Sequence, residues 1–253
     1  MRNKDIRPAA YGLIALLFWL TVWEISAQLI NIPLILPSAL SVLKSLFRII
    51  TSPRFYKIVL LSFLRIVLGF MLGALLGTAI SFLTHYLTPI RAIISPFMTV
   101  VRATPVASFI MVIWLMMGSS LAPTAITVLM VMPIVWQNLT NGFNAVSREL
   151  DEVCSVFEIG FTKRFLLLVL PTLIGYLIPA LVSSAGLAWK AGIAAEIIAY
   201  TNNSIGKEIF NAKNYLESAD MLAWTAIVVI ISLIFERLIS HVGRRFSEKD
   251  ANT

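Results

Sequence analysis

Four charged side chains interrupt long apolar stretches of this chain: Arg65, Arg102, Lys190 and Glu196. A charge in such a setting is costly, so it either pairs with an opposite charge or lines a path for a charged solute. A cation facing a cavity would lower the barrier to an anion. Lys190 paired with Glu196 would instead be a structural ion pair. Trp189 adjoins Lys190 and could stack on a solute, although Trp114, Trp136 and Trp189 also suit interface anchoring. Glu24, in the first apolar stretch, is expected to hydrogen-bond within a helix bundle. Catalytic constellations are absent. There is no Gly-x-Ser-x-Gly, no His-Glu-x2-His and no paired aspartates. A phosphate loop is absent too, since Gly206-Lys207 lacks both the first glycine and the hydroxyl residue. Cys154 is the single cysteine, which rules out an internal disulfide or a multi-cysteine metal site. His85 and His241 have no metal-spaced partner.

A second group of residues lies in a polar segment, Ser147 to Arg164. Ser147 is placed to cap a helix, and Glu149 and Asp151 follow in the first turn, where the helix dipole favours acids. Leu150, Val153, Cys154 and Phe157 recur at i, i+3, i+4 and i+7, the spacing of one helical face. A helix this short is not stable alone. Its apolar face needs a cover, either the groove of a soluble partner or the chain's own helix ends. Glu152 beside that face would make an ion pair or hydrogen bond to a partner, or be a solvated charge. Cys154 reads as a packing residue.

The elements that hold these residues are set by composition. Of 253 residues, 58% are hydrophobic and 13% charged. A soluble domain carries about 25% charged residues and cannot cover this much apolar side chain, so the bilayer is the expected solvent. Six apolar segments approach the roughly 20 residues that a span needs: Tyr11–Ile30, Leu60–Leu83, Ile94–Met117 with Pro96 and Pro105, Pro123–Leu139 with Pro133, Phe165–Leu187 with Pro171 and Pro179, and Met221–Ile239. The net charge of +7 then reflects topology and anionic lipid rather than nucleic acid. Lys/Arg bias puts both termini in the cytoplasm, with Arg2, Lys4, Arg7, Arg91, Arg102, Arg148, Lys163, Arg164 and Arg237 on that side. Lys44, Arg48, Arg54, Lys57, Lys190, Lys207 and Lys213 fall outside. The outward basic stretch Lys44–Lys57 follows Pro37-Ser38 and reads as an amphipathic helix on the interface. Gly69, Gly73 and Gly77 lie on one helical face and allow close helix approach, within the chain in preference to a dimer seam.

The polar segment resembles a known loop. Glu152-Val-Cys-x3-Glu158-x9-Leu168-x-Leu170-Pro171 is similar to the EAA loop of ABC importer permeases, Glu-Ala-Ala-x3-Gly-x9-Ile-x-Leu-Pro. Glu158 stands where the motif has glycine, with Gly160 two residues later. Trp23-Glu24, Leu36-Pro37-Ser38, Ser62-x2-Arg65-x3-Gly69-Phe70, Arg102-x-Thr-Pro105 and Gly186-Leu-Ala-Trp189-Lys190-x5-Glu196 resemble landmarks of the nitrate/sulfonate/taurine branch. The resemblance implies an all-α, polytopic type I importer permease of about six transmembrane helices. It implies one transmembrane domain over residues 1–253, with a coupling loop at about 144–164, in the bacterial cytoplasmic membrane. It implies a role for Glu149, Leu150, Glu152, Val153, Cys154, Phe157, Glu158 and Gly160 in contacting a cytoplasmic ABC ATPase dimer, which would hold ATP and Mg; this chain would bind no cofactor. The other implied partners are a second permease copy, membrane lipid and an extracytoplasmic solute-binding protein. The solute would be an anion such as nitrate, a sulfonate or taurine, or a vitamin such as riboflavin or a thiamine precursor. A stand-alone secondary transporter is the first alternative, but no internal repeat supports it. A membrane-embedded enzyme is the second, and it lacks the necessary residues.

Overall fold

A computed structural model describes the backbone of residues 7–250 and, apart from residues 7–10, 13, 242 and 244–250, their side chains. Arg2 and Lys4 lie outside the described residues. The chain is helical from end to end. In order, the helices are α1 (Arg7–Ile30), α2 (Ala39–Thr51), α3 (Pro53–Tyr86), α4 (Thr88–Ala103), α5 (Val106–Asn144), α6 (Arg148–Val156), α7 (Phe161–Arg164), α8 (Leu170–Ile198), α9 (Ile205–Asn214) and α10 (Ser218–Asp250). A π-helical turn, Phe165–Val169, joins α7 to α8. Pro171 explains it. Proline offers no N–H to the carbonyl four residues back, and the chain widens locally, with Leu170 N–H donating to the Phe165 carbonyl.

Four stretches are long and apolar enough to cross a membrane: Pro53–Tyr86, Val106–Asn144, Phe161–Ile198 and Ser218–His241. They contain the second, fourth, fifth and sixth expected segments. The first is the shorter apolar run Ile14–Ile30. The third expected segment is not one helix. Thr104 and Pro105 divide it between α4 and α5, because the residue before a proline is driven out of the helical region. Gly118, at φ +76°, then breaks α5 internally.

α5 is the centre of the bundle and packs most extensively on α8 and α3. Gly69, Gly73 and Gly77 seat α3 against it. A Cβ on Gly69 would come within 2.6 Å of the Thr124 carbonyl oxygen, and one on Gly77 within 2.6 Å of that of Met132. The glycine face is therefore consumed inside the chain. Phe70, Val131, Val135, Leu139, Leu173 and Ala180 fill the α3–α5–α8 core. α2 lies against α10, where Arg48 pairs with Asp220. Its N-terminus is held by α1: Glu24 Oε2 accepts from Ala39 N–H at 2.9 Å and Trp23 Nε1 donates to the Pro37 carbonyl at 3.1 Å.

Candidate functional site

One end of the bundle carries α6. Ser147 Oγ accepts from Leu150 N–H at 3.2 Å and starts the helix. Two bonds close it, Ile159 N–H to the Cys154 carbonyl at 2.9 Å and Glu158 N–H to the Ser155 carbonyl at 3.2 Å. This closure puts Glu158 at φ +50°, in the left-handed region that costs a side-chain-bearing residue about 1–2 kcal/mol. The position where the resembling loops carry glycine is thus the one where backbone conformation calls for it, and Gly160 (φ −60°) does not take over that turn.

No side chain of α6 is buried. Leu150 and Val153 are about half exposed, and Phe157 more so. The structure adds Val156 and Phe161 to this apolar surface; the stripe read at helical spacing missed them, because Val156 lies off it and Phe161 lies beyond the helix. Glu149, Glu152 and Glu158 are exposed beside it, and Cys154 is half-buried. The helix is tethered to the bundle by an Asp151–Arg164 ion pair. Behind it lies a cavity of about 560 Å3 walled by His85, Phe143, Arg148, Arg164 and Phe165. The His85 ring stacks on Phe143 at 4.0 Å between centroids, so His85 is a packing group and not a free surface residue. Among the described residues no cluster of three or more His, Cys, Asp or Glu could hold a metal.

The opposite end contains the intramembrane charges, and the structure separates them. Glu196 is fully buried. Its Oε2 accepts from Ser62 Oγ at 2.8 Å and from Gly206 N–H at 3.1 Å, and its Oε1 accepts from Arg65 Nη1 at 3.4 Å. Both oxygens therefore face donors, the arrangement of a carboxylate. Arg65 also donates to the Asn203 and Asn202 carbonyls at 3.3 and 3.1 Å, and Ser62 Oγ accepts from Ile205 N–H at 2.9 Å. This staple fixes the α8–α9 turn, in which Tyr200 and Asn203 have positive φ. A pairing of Lys190 with Glu196 is not what the structure contains; Arg65, brought in by α3, is the partner. The chain gives no local signal for that choice, since the two residues are 131 positions apart.

Trp189 is fully buried and donates to the Val228 carbonyl at 3.0 Å. It packs near Phe63 and Phe235, so it belongs to the core and cannot stack on a solute. Trp136 is likewise buried, donating to Thr84 Oγ1 at 3.0 Å, and is no interface anchor. Lys190 and Arg102 remain exposed. Charge bias placed them on opposite sides. Instead their neighbours Ala191 and Val101 share one apolar cluster with Ala195, Ile126 and Ile110, which puts both cations at the same level, toward the Glu196 end.

A family model described as the binding-protein-dependent transport system inner membrane component matches residues 66–248. Among curated relatives, the putative aliphatic sulfonates transport permease protein SsuC of Bacillus subtilis (strain 168) is 21% identical, covering 89% of this chain and 82% of its own. The nitrate import permease protein NrtB of Synechocystis sp. is 26% identical, with 94% and 87% covered. The taurine transport system permease protein TauC of Escherichia coli (strain K12) is 26% identical, with 90% and 85% covered. A solved amino acid ABC transporter chain superposes with a TM-score of 0.62 at 18% identity, over 76% of this chain and 93% of that one; it speaks to the fold alone.

Proposed function

The chain belongs to the family of binding-protein-dependent transport inner membrane components, the permeases of ABC importers, and on that premise we propose that it is the pathway-forming and lever-bearing subunit of an ATP-driven importer for a small solute. The observation that carries this reading is α6, a capped, tethered helix at one bundle end whose apolar side chains Leu150, Val153 and Phe157 are all exposed. An apolar helical face of this kind suits the groove of another protein. In the proposed assembly that protein is an ABC ATPase, two copies of which meet two copies of this chain, and ATP and Mg sit on the ATPase. Glu152, beside the apolar face, supplies a polar contact. α6 then lies in the cytoplasm, as do both chain ends, and the Glu196 end faces outward, where a binding protein delivers the solute. The sulfonate, nitrate and taurine relatives make a small anion the first solute class to test, ahead of a riboflavin-like or thiamine-precursor vitamin.

The test is co-purification of the ATPase with the full chain in detergent, followed by ATP hydrolysis and uptake in proteoliposomes. Val153→Asp is expected to lose the ATPase while the chain stays in the membrane. Glu152→Lys is expected to uncouple hydrolysis from uptake. Uptake by the chain alone, or an ATPase that stays bound to Val153→Asp, overturns the reading.

A further inference from the structure

A lysine exposed on a membrane helix needs a reason. Lys190 lies eight residues before the end of α8 at Ile198, about 12 Å along the axis, well inside a hydrocarbon layer of about 30 Å. Facing lipid there, a cation is strongly disfavoured. Lys190 has no ion-pair or hydrogen-bond partner among the described residues, whereas Arg65 and Glu196 do. Arg102, at the same level on α4, is likewise exposed and unpaired among the described residues.

The surfaces of the bundle indicate where Lys190 points. α3 exposes Leu60, Leu64, Leu68, Met71 and Leu75, and α10 exposes Val229, Ile230, Leu233, Ile234 and Leu238. These are large apolar stripes suited to acyl chains. The open stripe of α8 has a different character. It runs Pro171, Gly175, Pro179, Ser183, Leu187, Lys190, with a single large apolar side chain, and nothing lies within 4 Å of a Cβ built on Gly175. α8 is otherwise enclosed by α3, α5 and α10. Its one open face is therefore the poorest lipid face of the bundle, and it ends in the unpaired cation.

We propose that Lys190, with Arg102 beside it, lines a water-filled pathway along the open face of α8 and makes that pathway selective for anions. The proposal rests on the permease reading and deepens it by naming the charge class of the solute and the side chains that select it. Glu196, sequestered by Ser62, Arg65 and Gly206, does not cancel this field at contact distance. Two copies of the chain would set two Lys190 and two Arg102 around one path, and solutes of positive charge would be repelled from it.

The test needs no knowledge of the solute. The full chain is expressed in membranes with Cys154→Ser, so that an introduced cysteine is the only thiol; labelling, not activity, is read. Leu187→Cys, one turn from Lys190 on the same face, is reacted with anionic methanethiosulfonate ethylsulfonate and with its cationic trimethylammonium counterpart, with and without ATP. Ile230→Cys, on the α10 apolar stripe, is the lipid-facing control. Leu187→Cys is expected to label and Ile230→Cys not to. With Lys190 present the anionic reagent is expected to be favoured by about tenfold relative to a free thiol, the size of one nearby charge in a partly screened cavity. Lys190→Gln should remove most of that preference and Lys190→Arg should keep it. If Leu187→Cys is as inert as Ile230→Cys, or if Lys190→Gln leaves the preference unchanged, the proposal is overturned. ATPase co-purification is scored on the same variants. Retained ATPase with no charge preference sinks the anion pathway alone, and a lost ATPase in the parent chain sinks the permease reading.

Discussion

Removing the Glu196 carboxylate tests how the outer end of the bundle is held. Glu196→Ala would leave the Arg65 guanidinium, the Ser62 hydroxyl and the Gly206 N–H facing a void where they now meet oxygen at 3.4, 2.8 and 3.1 Å. Breaking one side of a buried charge pair costs about 3–5 kcal/mol, most of it from the partner left behind. Glu196→Gln is nearly isosteric and should still be damaging. If the amide oxygen keeps Ser62 and Gly206, the NH2 points at Arg65; if it turns, the NH2 points at two donors. Either way at least one buried donor is unmatched, at about 1–3 kcal/mol. Removing both charges, as Arg65→Leu with Glu196→Leu, should recover part of the loss. The assay is the thermal stability of purified chain in detergent, arranged as a double-mutant cycle, with protection of the Tyr200–Ser204 turn from proteolysis as the local readout. A coupling of at least about 1 kcal/mol is expected for residues in direct contact. A Glu196→Ala variant as stable as the parent, or strictly additive Arg65 and Glu196 effects, would refute the reasoning.

Gly69→Ala should reduce folded yield, because its Cβ would stand 2.6 Å from a backbone oxygen that cannot rotate away; overpacking of this kind costs about 1–3 kcal/mol, readable as the monodisperse fraction in detergent. Gly175→Ala, with nothing within 4 Å, is the matched control and should leave that fraction unchanged. Glu158→Gly should be tolerated and should raise local stability by up to about 1 kcal/mol, since φ +50° suits glycine, whereas Glu158→Val should increase amide exchange across α6. Burial lifts the Glu208 carboxyl above its ordinary 4.5, against the opposing pull of Lys207 and Arg54. A raised acid favours folding in its protonated form, so this contribution is full below about pH 4.5 and is lost as pH rises through the lifted value. Glu208→Gln should therefore weaken the dependence of melting temperature on pH above 4.5, and an unchanged profile counts against it.

The sequence by itself determined what depends on neighbours in the chain. Apolar content named the solvent. Helical spacing put Leu150, Val153 and Phe157 on one face, Ser147 marked where that helix starts, and glycines four apart marked a surface for close packing. Tertiary structure decided what depends on which faces meet. Three side chains at similar apparent depth in the sequence, Glu196, Trp189 and Lys190, lie on one helix, yet one is stapled to Arg65, one is sealed in the core and one is left open. Successive residues on a helix point about 100° apart, so packing α8 among α3, α5 and α10 assigns each a different environment. Arg102 moved to the level of Lys190 because Thr104 and Pro105 end α4 there and Val101 packs against Ala191. Glu158 shows the same division on a small scale: the motif predicts a glycine, and only the backbone angle gives the reason.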